Sequence, residues 1–367
     1  MRFDKRLAGW YKKNKRDLPW RKTKEPYPVW ISEIILQQTR IDQGMEYYLR
    51  FLERFPGILE LAGADEEEVL KLWQGLGYYS RARNLHAAAK QIMDLHDGIF
   101  PSGYDEIRRL KGIGDYTAAA IASISFGLPY PVIDGNVLRF FTRFFGIADP
   151  VDTQKGKTAV LKKALEYIDK TNPGDFNQAV MEFGALQCRP GIPDCTVCPL
   201  KKDCFAFWHH SIADFPVKSK RQPQRTRYFH YLVFTQNAKN KKFIYLKKRT
   251  GNDIWKNMFD FPVIETAKAV SLKKLISSPA WTGITGVVPY SIVSEVKVHK
   301  HMLSHQVILA RFYILELPPA RRLPFLKVSL ADLEQYPVPR LIERFMKTYT
   351  ISNLHSTIQS KIVDLKS

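Results

Sequence analysis

All four cysteines of the chain fall in one short stretch, Cys188, Cys195, Cys198 and Cys204. Their spacing is Cys-x6-Cys-x2-Cys-x5-Cys. A disulfide framework would be spread along the chain and would need an oxidising compartment, so a tight group of thiols points to metal instead. Four thiolates can hold one structural zinc or a four-iron four-sulfur cluster, and residue type alone leaves both open. Zinc ribbons pair two close cysteine knuckles, and only one such pair occurs here.

Two acids stand in settings that give them opposite chemistry. Glu33, in Trp30-Ile31-Ser32-Glu33-Ile34-Ile35, is bracketed by apolar residues, where burial raises a carboxyl pKa and holds its proton. Asp134, in Val132-Ile133-Asp134-Gly135-Asn136-Val137, precedes a helical pattern; it reads as an N-cap, and the positive helix end favours its ionised form. One protonated and one ionised carboxyl is the arrangement that cleaves glycosidic bonds. A solvated surface acid and a plain N-cap would use the same residue types, and separation in sequence says nothing of distance in space.

Between the two acids lies Leu110-Lys111-Gly112-Ile113-Gly114-Asp115-Tyr116-Thr117. Gly112 and Gly114 permit a tight turn. Beside Lys111, the backbone N–H groups and the following helix start would form an anion site, suited to phosphate and indifferent to base sequence.

The elements that must carry these residues divide the chain in two. Residues 1–213 read as helical, with apolar residues at helical spacing from Trp30 to Phe55 as one run, and over 66–73, 81–95, 116–125, 137–145 and 157–168. Residues 214–227 are basic and proline-containing and read as a linker. Strand-like runs follow over 228–235, 243–248, 259–264 and 294–317, the last as two strands and a turn, with helical patterns over 271–276 and 338–349. This predicts a mainly α domain followed by a smaller α+β domain over 228–350, with 351–367 as a tail.

The balance of 56 Lys+Arg against 36 Asp+Glu gives a formal net charge of +20, which suits a polyanionic partner. No apolar run is long enough to span a bilayer, no basic amphipathic anchor is present, and the start lacks the apolar core of a signal peptide. The expectation is a cytoplasmic protein that binds nucleic acid and no membrane.

The 6-2-5 cysteine spacing, the glycine hairpin and the Asp134 segment, in that setting, resemble the endonuclease III superfamily of helix-hairpin-helix DNA glycosylases. Within it, Trp30 to Arg40, Gly75-Leu76-Gly77-Tyr78-Tyr79-Ser80-Arg81, Arg16-Asp17-Leu18-Pro19-Trp20-Arg21 and Phe176-Asn177-Gln178 resemble the adenine DNA glycosylases of the MutY family. The resemblance covers the first 210 residues strongly and continues, more weakly, to about residue 350. It implies a 4Fe-4S cluster on the four cysteines that is not the reaction centre, and double-stranded DNA with an A:8-oxoguanine or A:G mispair as partner.

By the same resemblance Glu33 protonates adenine, Asp134 is the catalytic aspartate, and Asn136 and Tyr116 assist. Tyr116 stands where strand-cutting relatives carry a Schiff-base lysine, which implies a monofunctional hydrolase. Arg16, Leu18, Trp20, Arg21 and Gln178 would line the adenine pocket. Gln38 and Tyr78, with Leu76 beside it, would enter the duplex around the opposite base. The second domain resembles a Nudix domain but lacks the Gly-x5-Glu-x7-Arg-Glu box that binds metal, so it should recognise rather than hydrolyse. A Phe-Ser-His loop that reads 8-oxoguanine is matched by Leu303-Ser304-His305; Leu303 departs from it, filling space but stacking less well. The implied setting is a bacterial monomer associated with the nucleoid. The competing readings are a related glycosylase acting on thymine or oxidised pyrimidines, and a non-catalytic DNA-binding protein.

Overall fold

The computed structural model describes residues 3–219, 223–238, 241–286 and 289–349, without the side chains of 295–298. The tail expected over 351–367 and residues 220–222 of the expected linker lie outside the described residues. The chain forms two compact units, one of residues 1–64 and 84–221, the other of 65–83 and 222–367.

The helices in chain order are α1 (Phe3–Asn14), α2 (Pro26–Ile35), α3 (Ile41–Arg54), α4 (Ile58–Gly63), α5 (Glu66–Leu72), α6 (Ser80–His96), α7 (Tyr104–Arg109), α8 (Asp115–Phe126), α9 (Gly135–Phe145), α10 (Gln154–Tyr167), α11 (Pro173–Leu186) and α12 (Phe205–Trp208). The helical pattern expected from Trp30 to Phe55 is carried by two helices, α2 and α3. The chain breaks at Leu36–Arg40, where Gln38 takes a φ of 55°, a left-handed conformation that no helix interior accommodates.

In the first unit the sequence selects a core helix and a core seam. In α8 every residue from Thr117 to Ser123 is buried, which small alanines allow on all faces. Phe140, Phe141 and Phe144 of α9 recur at helical spacing and pack with Phe3, Leu7 and Tyr11 of α1 and Phe183 of α11. Full burial of each such ring is worth about 2–3 kcal/mol. The α1, α9 and α11 seam brings the chain start against the Asp134 segment.

The second unit is a sheet with strand order β3-β2-β1-β6-β5, where β4 also pairs β1 and β7 pairs β2. The strands are β1 (Arg225–Ala238), β2 (Lys241–Lys248), β3 (Phe259–Asp260), β4 (Val263–Thr266), β5 (Ser291–Met302), β6 (Gln306–Leu317) and β7 (Leu326–Ser329). β1 and β6 run parallel and pair from Arg225↔Gln306 to Gln236↔Leu317. Residues 225–227, read above as linker, are therefore strand; their basic side chains hid a ladder set by backbone pairing. β1 is buried continuously from Phe229 to Thr235, the pattern of a strand covered on both faces. Short helices α13 (Leu272–Ile276) and α14 (Pro279–Thr285) accompany the sheet, and residues 340–349 are helical. The expected run 259–264 splits into β3 and β4 around Phe261-Pro262, because proline cannot donate to a ladder. Among the described residues no helix is long and apolar enough to cross a membrane.

Candidate active site

A cavity of about 500 Å³ opens in the first unit. Its wall includes Arg16, Leu18, Trp20, Arg21, Glu33, Tyr116, Asp134, Asn136 and Gln178, so nine residues singled out in the sequence meet in one place. They come from the segment between α1 and α2 and from α2, α8, α9 and α11.

Glu33 points from α2 toward α8. Tyr116 donates its hydroxyl proton to Glu33 Oε2 at 2.6 Å. Burial pushes the Glu33 carboxyl up to about 7; the Tyr116 hydrogen bond pulls it down, and the nearby Asp134 charge raises it. With Oε2 engaged, Oε1 is the oxygen left to carry a proton.

Asp134 caps α9. Its Oδ1 accepts from the Val137 N–H at 2.7 Å and its Oδ2 from Asn136 Nδ2 at 2.8 Å. The expectation of an N-cap and the expectation of a chemically placed carboxylate describe the same residue. Burial nonetheless pushes its pKa above the ordinary range, with the Val137 and Asn136 donors opposing. Helix polarity alone, which favoured a fully ionised group, does not set it.

The far wall is a buried ion-pair group that sequence reasoning missed. Glu182, 1% exposed, accepts from Arg16 through Nε at 2.9 Å and Nη2 at 2.6 Å, and from Arg21 through Nη1 at 2.9 Å and Nη2 at 2.8 Å. Burial would raise Glu182, but the Arg21 and Arg16 hydrogen bonds outweigh it and hold the acid at about 2. The available signal was an acid four residues after Gln178 on an apolar helix. Tyr11 donates to Gln178 Oε1 at 2.8 Å, which leaves the Gln178 amide N–H groups for other partners. Trp20 packs edge-on to Tyr48 at 5.1 Å.

The hairpin follows α7. Gly112 has a φ of 78°, and a Cβ there would meet the Asn84 side chain at 2.5 Å, so glycine is required. Gly114 differs from expectation: its backbone is extended, and a Cβ would meet nothing within 4 Å. Its use is as an N-cap without a side-chain acceptor, which leaves the first N–H groups of α8 exposed to an anion. Lys111 is exposed, its own N–H held by Gln91 Oε1 at 2.7 Å.

Cys188, Cys195, Cys198 and Cys204 line one narrow cavity with Phe140, Arg143 and Leu200. Among the described residues no three His, Cys, Asp or Glu side chains are grouped to hold a single metal ion. Arg143, 3% exposed, fastens the loop: it donates to the carbonyls of Arg189, Gly191, Ile212 and Phe215, and to Cys188 Sγ at 3.7 Å. Arg139 donates to the Cys188 carbonyl at 2.9 Å and to Asn136 Oδ1 at 2.9 Å, which joins the cysteine loop to the Asp134 cap. Neither arginine was singled out in the sequence.

The other expected residues lie outside this cavity. Gln38 is exposed on the turn between α2 and α3. Tyr78, in the second unit, is 44% exposed with a φ of 47°. Leu76, expected beside it at the substrate, is 8% exposed and props the turn from within. Ser304 and His305 are exposed in the turn between β5 and β6; Ser304 Oγ lies 3.2 Å from His305 Nδ1, and Gln224 Nε2 donates to the Leu303 and Ser304 carbonyls.

A helical unit with this hairpin and a buried carboxyl pair facing a cavity defines a class. Residues 31–168 match the HhH-GPD superfamily base excision DNA repair protein family, and residues 231–348 match the NUDIX domain family. A solved thermostable thymine-DNA glycosylase matches with a TM-score of 0.53 at 27% identity, over 56% of this chain and 95% of that one. An adenine DNA glycosylase of Buchnera aphidicola (subspecies Acyrthosiphon pisum) is 40% identical over 267 residues, 71% of this chain and 73% of its own length. The adenine DNA glycosylase of Mus musculus is 33% identical over 87% of this chain and 71% of its own. The chain belongs to the adenine DNA glycosylase family; it is a DNA glycosylase of base excision repair, with a Nudix-like C-terminal domain.

Proposed function

We propose that this chain hydrolyses the N-glycosidic bond of adenine mispaired with 8-oxoguanine or guanine in double-stranded DNA. The observation that carries the reading is the Glu33 carboxyl, raised to about 7 and oriented by Tyr116, on the same cavity as the Asp134 cap. Adenine leaves the base stack and enters the cavity. Glu33 gives its proton to N7 of the base, and the bond between N9 and the sugar breaks, its electron pair going to adenine. Asp134, steadied by Asn136, faces the cation left on the sugar. Water then adds to the sugar and gives a proton to a carboxylate, leaving an abasic site. Tyr116 offers no amine for a Schiff base, which supports a monofunctional enzyme.

Arg16, Arg21 and their shared acid Glu182, with Leu18, Trp20 and Gln178, bind the base. The Gln178 amide, its oxygen taken by Tyr11, donates to the base's acceptor nitrogens. Lys111, Gly112 and Gly114 hold a backbone phosphate. Gln38 and Tyr78, both exposed in left-handed turns, enter the duplex, and Ser304 and His305 read the opposite base.

The donor set fits a 4Fe-4S cluster: the four cysteine thiols line one narrow cavity beside the buried Arg143. Cys188, Cys195, Cys198 and Cys204 would hold the cluster, which would supply structural rigidity to the loop rather than a reaction step. The enzyme acts as a monomer on nucleoid DNA in the cytoplasm.

Glu33→Gln tests the proposal. Single-turnover base release is expected to fall by roughly a hundredfold or more, the range of a lost general acid, while duplex affinity survives. Ordinary turnover in that variant would sink it.

A further inference from the structure

We infer that the segment Asp65–Arg83, which carries Tyr78, is set in place by the turn Trp255-Lys256-Asn257, making Glu66, Arg83 and Asn257 positioning residues for selection of the opposite base. This rests on the reading that Tyr78 enters the duplex and that the Leu303–His305 turn reads 8-oxoguanine.

Asp65–Arg83 stands within the helical part of the sequence but belongs to the second unit. Specific hydrogen bonds put it there. Asn257 Nδ2 donates to Glu66 Oε1 at 2.6 Å, and Arg83 Nη1 donates to the Lys256 carbonyl at 2.9 Å. Gln74 Oε1 accepts from the Val338 N–H at 3.3 Å. Lys248 and Glu67 add an ion pair at 2.6 Å, but both are more than 40% exposed and contribute little. The ties sit on either side of Tyr78 in sequence, so they fix both ends of the segment that presents it.

The Tyr78 turn is itself rigid. Trp73 Nε1 donates to the Gly77 carbonyl at 3.1 Å, and Arg81 lies between the Trp73 and Tyr78 rings, 5.2 and 5.5 Å from their centroids. Leu76 and Tyr79 are buried while Tyr78 projects. A side chain held this way has little freedom to lose when it enters DNA.

The receiving turn is equally constrained. Trp255 and Asn257 take φ values of 60° and 65°; asparagine tolerates this left-handed region, whereas a bulky tryptophan adopts it only when its neighbours impose it. The neighbours are charged: Arg249 donates to the buried Asp260 Oδ2 at 3.0 Å, and the shielded Arg227 pairs with the more exposed Asp253 and Glu265. The Asn257 N–H donates to the Arg249 carbonyl at 2.7 Å. On the other side the Trp255 ring lies 5.7 Å from that of His301, near the end of β5 where the Leu303–His305 turn begins. A continuous line of contacts thus runs from the base-reading turn through His301 and Trp255 to Asn257 and Lys256, and on to Glu66, Arg83 and Tyr78. A base engaged by the turn finds Tyr78 already aligned.

The test uses single-turnover adenine release from duplexes with adenine opposite 8-oxoguanine or guanine, and 2-aminopurine fluorescence beside the opposite base to report Tyr78 insertion. Asn257→Asp keeps the shape and the left-handed backbone but sets a carboxylate against Glu66. It is expected to lower the 8-oxoguanine-to-guanine rate ratio about tenfold or more, the scale of one lost hydrogen bond to a charged group, and to reduce the fluorescence change. Adenine release opposite guanine and the melting temperature should stay near wild type. Asn257→Asp combined with Glu66→Gln restores a donor–acceptor pair and should restore the ratio. An unchanged ratio in Asn257→Asp, or no rescue in the double variant, overturns the inference. If the wild type itself shows no preference for 8-oxoguanine, the reading of the second unit falls and the inference with it. If Ser304→Ala abolishes a wild-type preference that Asn257→Asp retains, the inference alone falls.

Discussion

Glu33 gains its chemistry from its neighbours. A carboxyl raised to about 7 still holds its proton near neutral pH, where an ordinary glutamate has lost it. The protonated form is the acid, so the excision rate should fall toward tenfold per unit above pH 7, while Asp134, which must be ionised and whose pKa burial raises, sets a second limb on the acid side. Tyr116→Phe removes a hydrogen bond that lowers this pKa, so the falling limb should move to higher pH. A single-turnover rate profile between pH 5 and pH 9 checks both, and a limb that moves to lower pH in Tyr116→Phe would contradict the assignment. Glu33 was legible in the sequence because its apolar bracketing is local, and Asp134 because an N-cap announces itself in the next three residues. Glu182 was not, because its meaning depends on Arg16 and Arg21, more than 160 residues away in the chain.

At the scale of elements, patterns with one helical period were read correctly, and breaks within them were not. The Leu36–Arg40 interruption has no glycine or proline to mark it; Gln38 is held left-handed by the chain around it. The hairpin was visible through its glycines, although only Gly112 needs to be one. β1 was legible as an apolar run, but its first residues were masked by basic side chains because the parallel ladder to β6 acts through the backbone. The cysteine spacing named a metal site and left its occupant open. If the four thiols of the shared cavity hold a 4Fe-4S cluster, the purified protein should contain iron and acid-labile sulfide in near-equal amounts. Stoichiometric zinc with neither would refute the cluster.

For the molecule as a whole, two units divide the task. The first gathers Glu33, Asp134, Arg16 and Arg21 around one cavity, and Arg139 ties that site to the cysteine loop. The second presents Tyr78 and the Ser304–His305 turn together. Sequence continuity assigned residues 65–83 to the helical part; only hydrogen bonds between side chains remote in sequence, such as Asn257 to Glu66, show where they belong. The central claim is that this division serves removal of adenine chosen by the base opposite. Its most direct test is single-turnover base release from duplexes carrying adenine opposite 8-oxoguanine, guanine or thymine, with the released base identified. The expected result is free adenine and an uncut strand bearing an abasic site, fastest opposite 8-oxoguanine, slower opposite guanine and slowest opposite thymine. Near-equal rates against all three, or release of a pyrimidine in place of adenine, would contradict it.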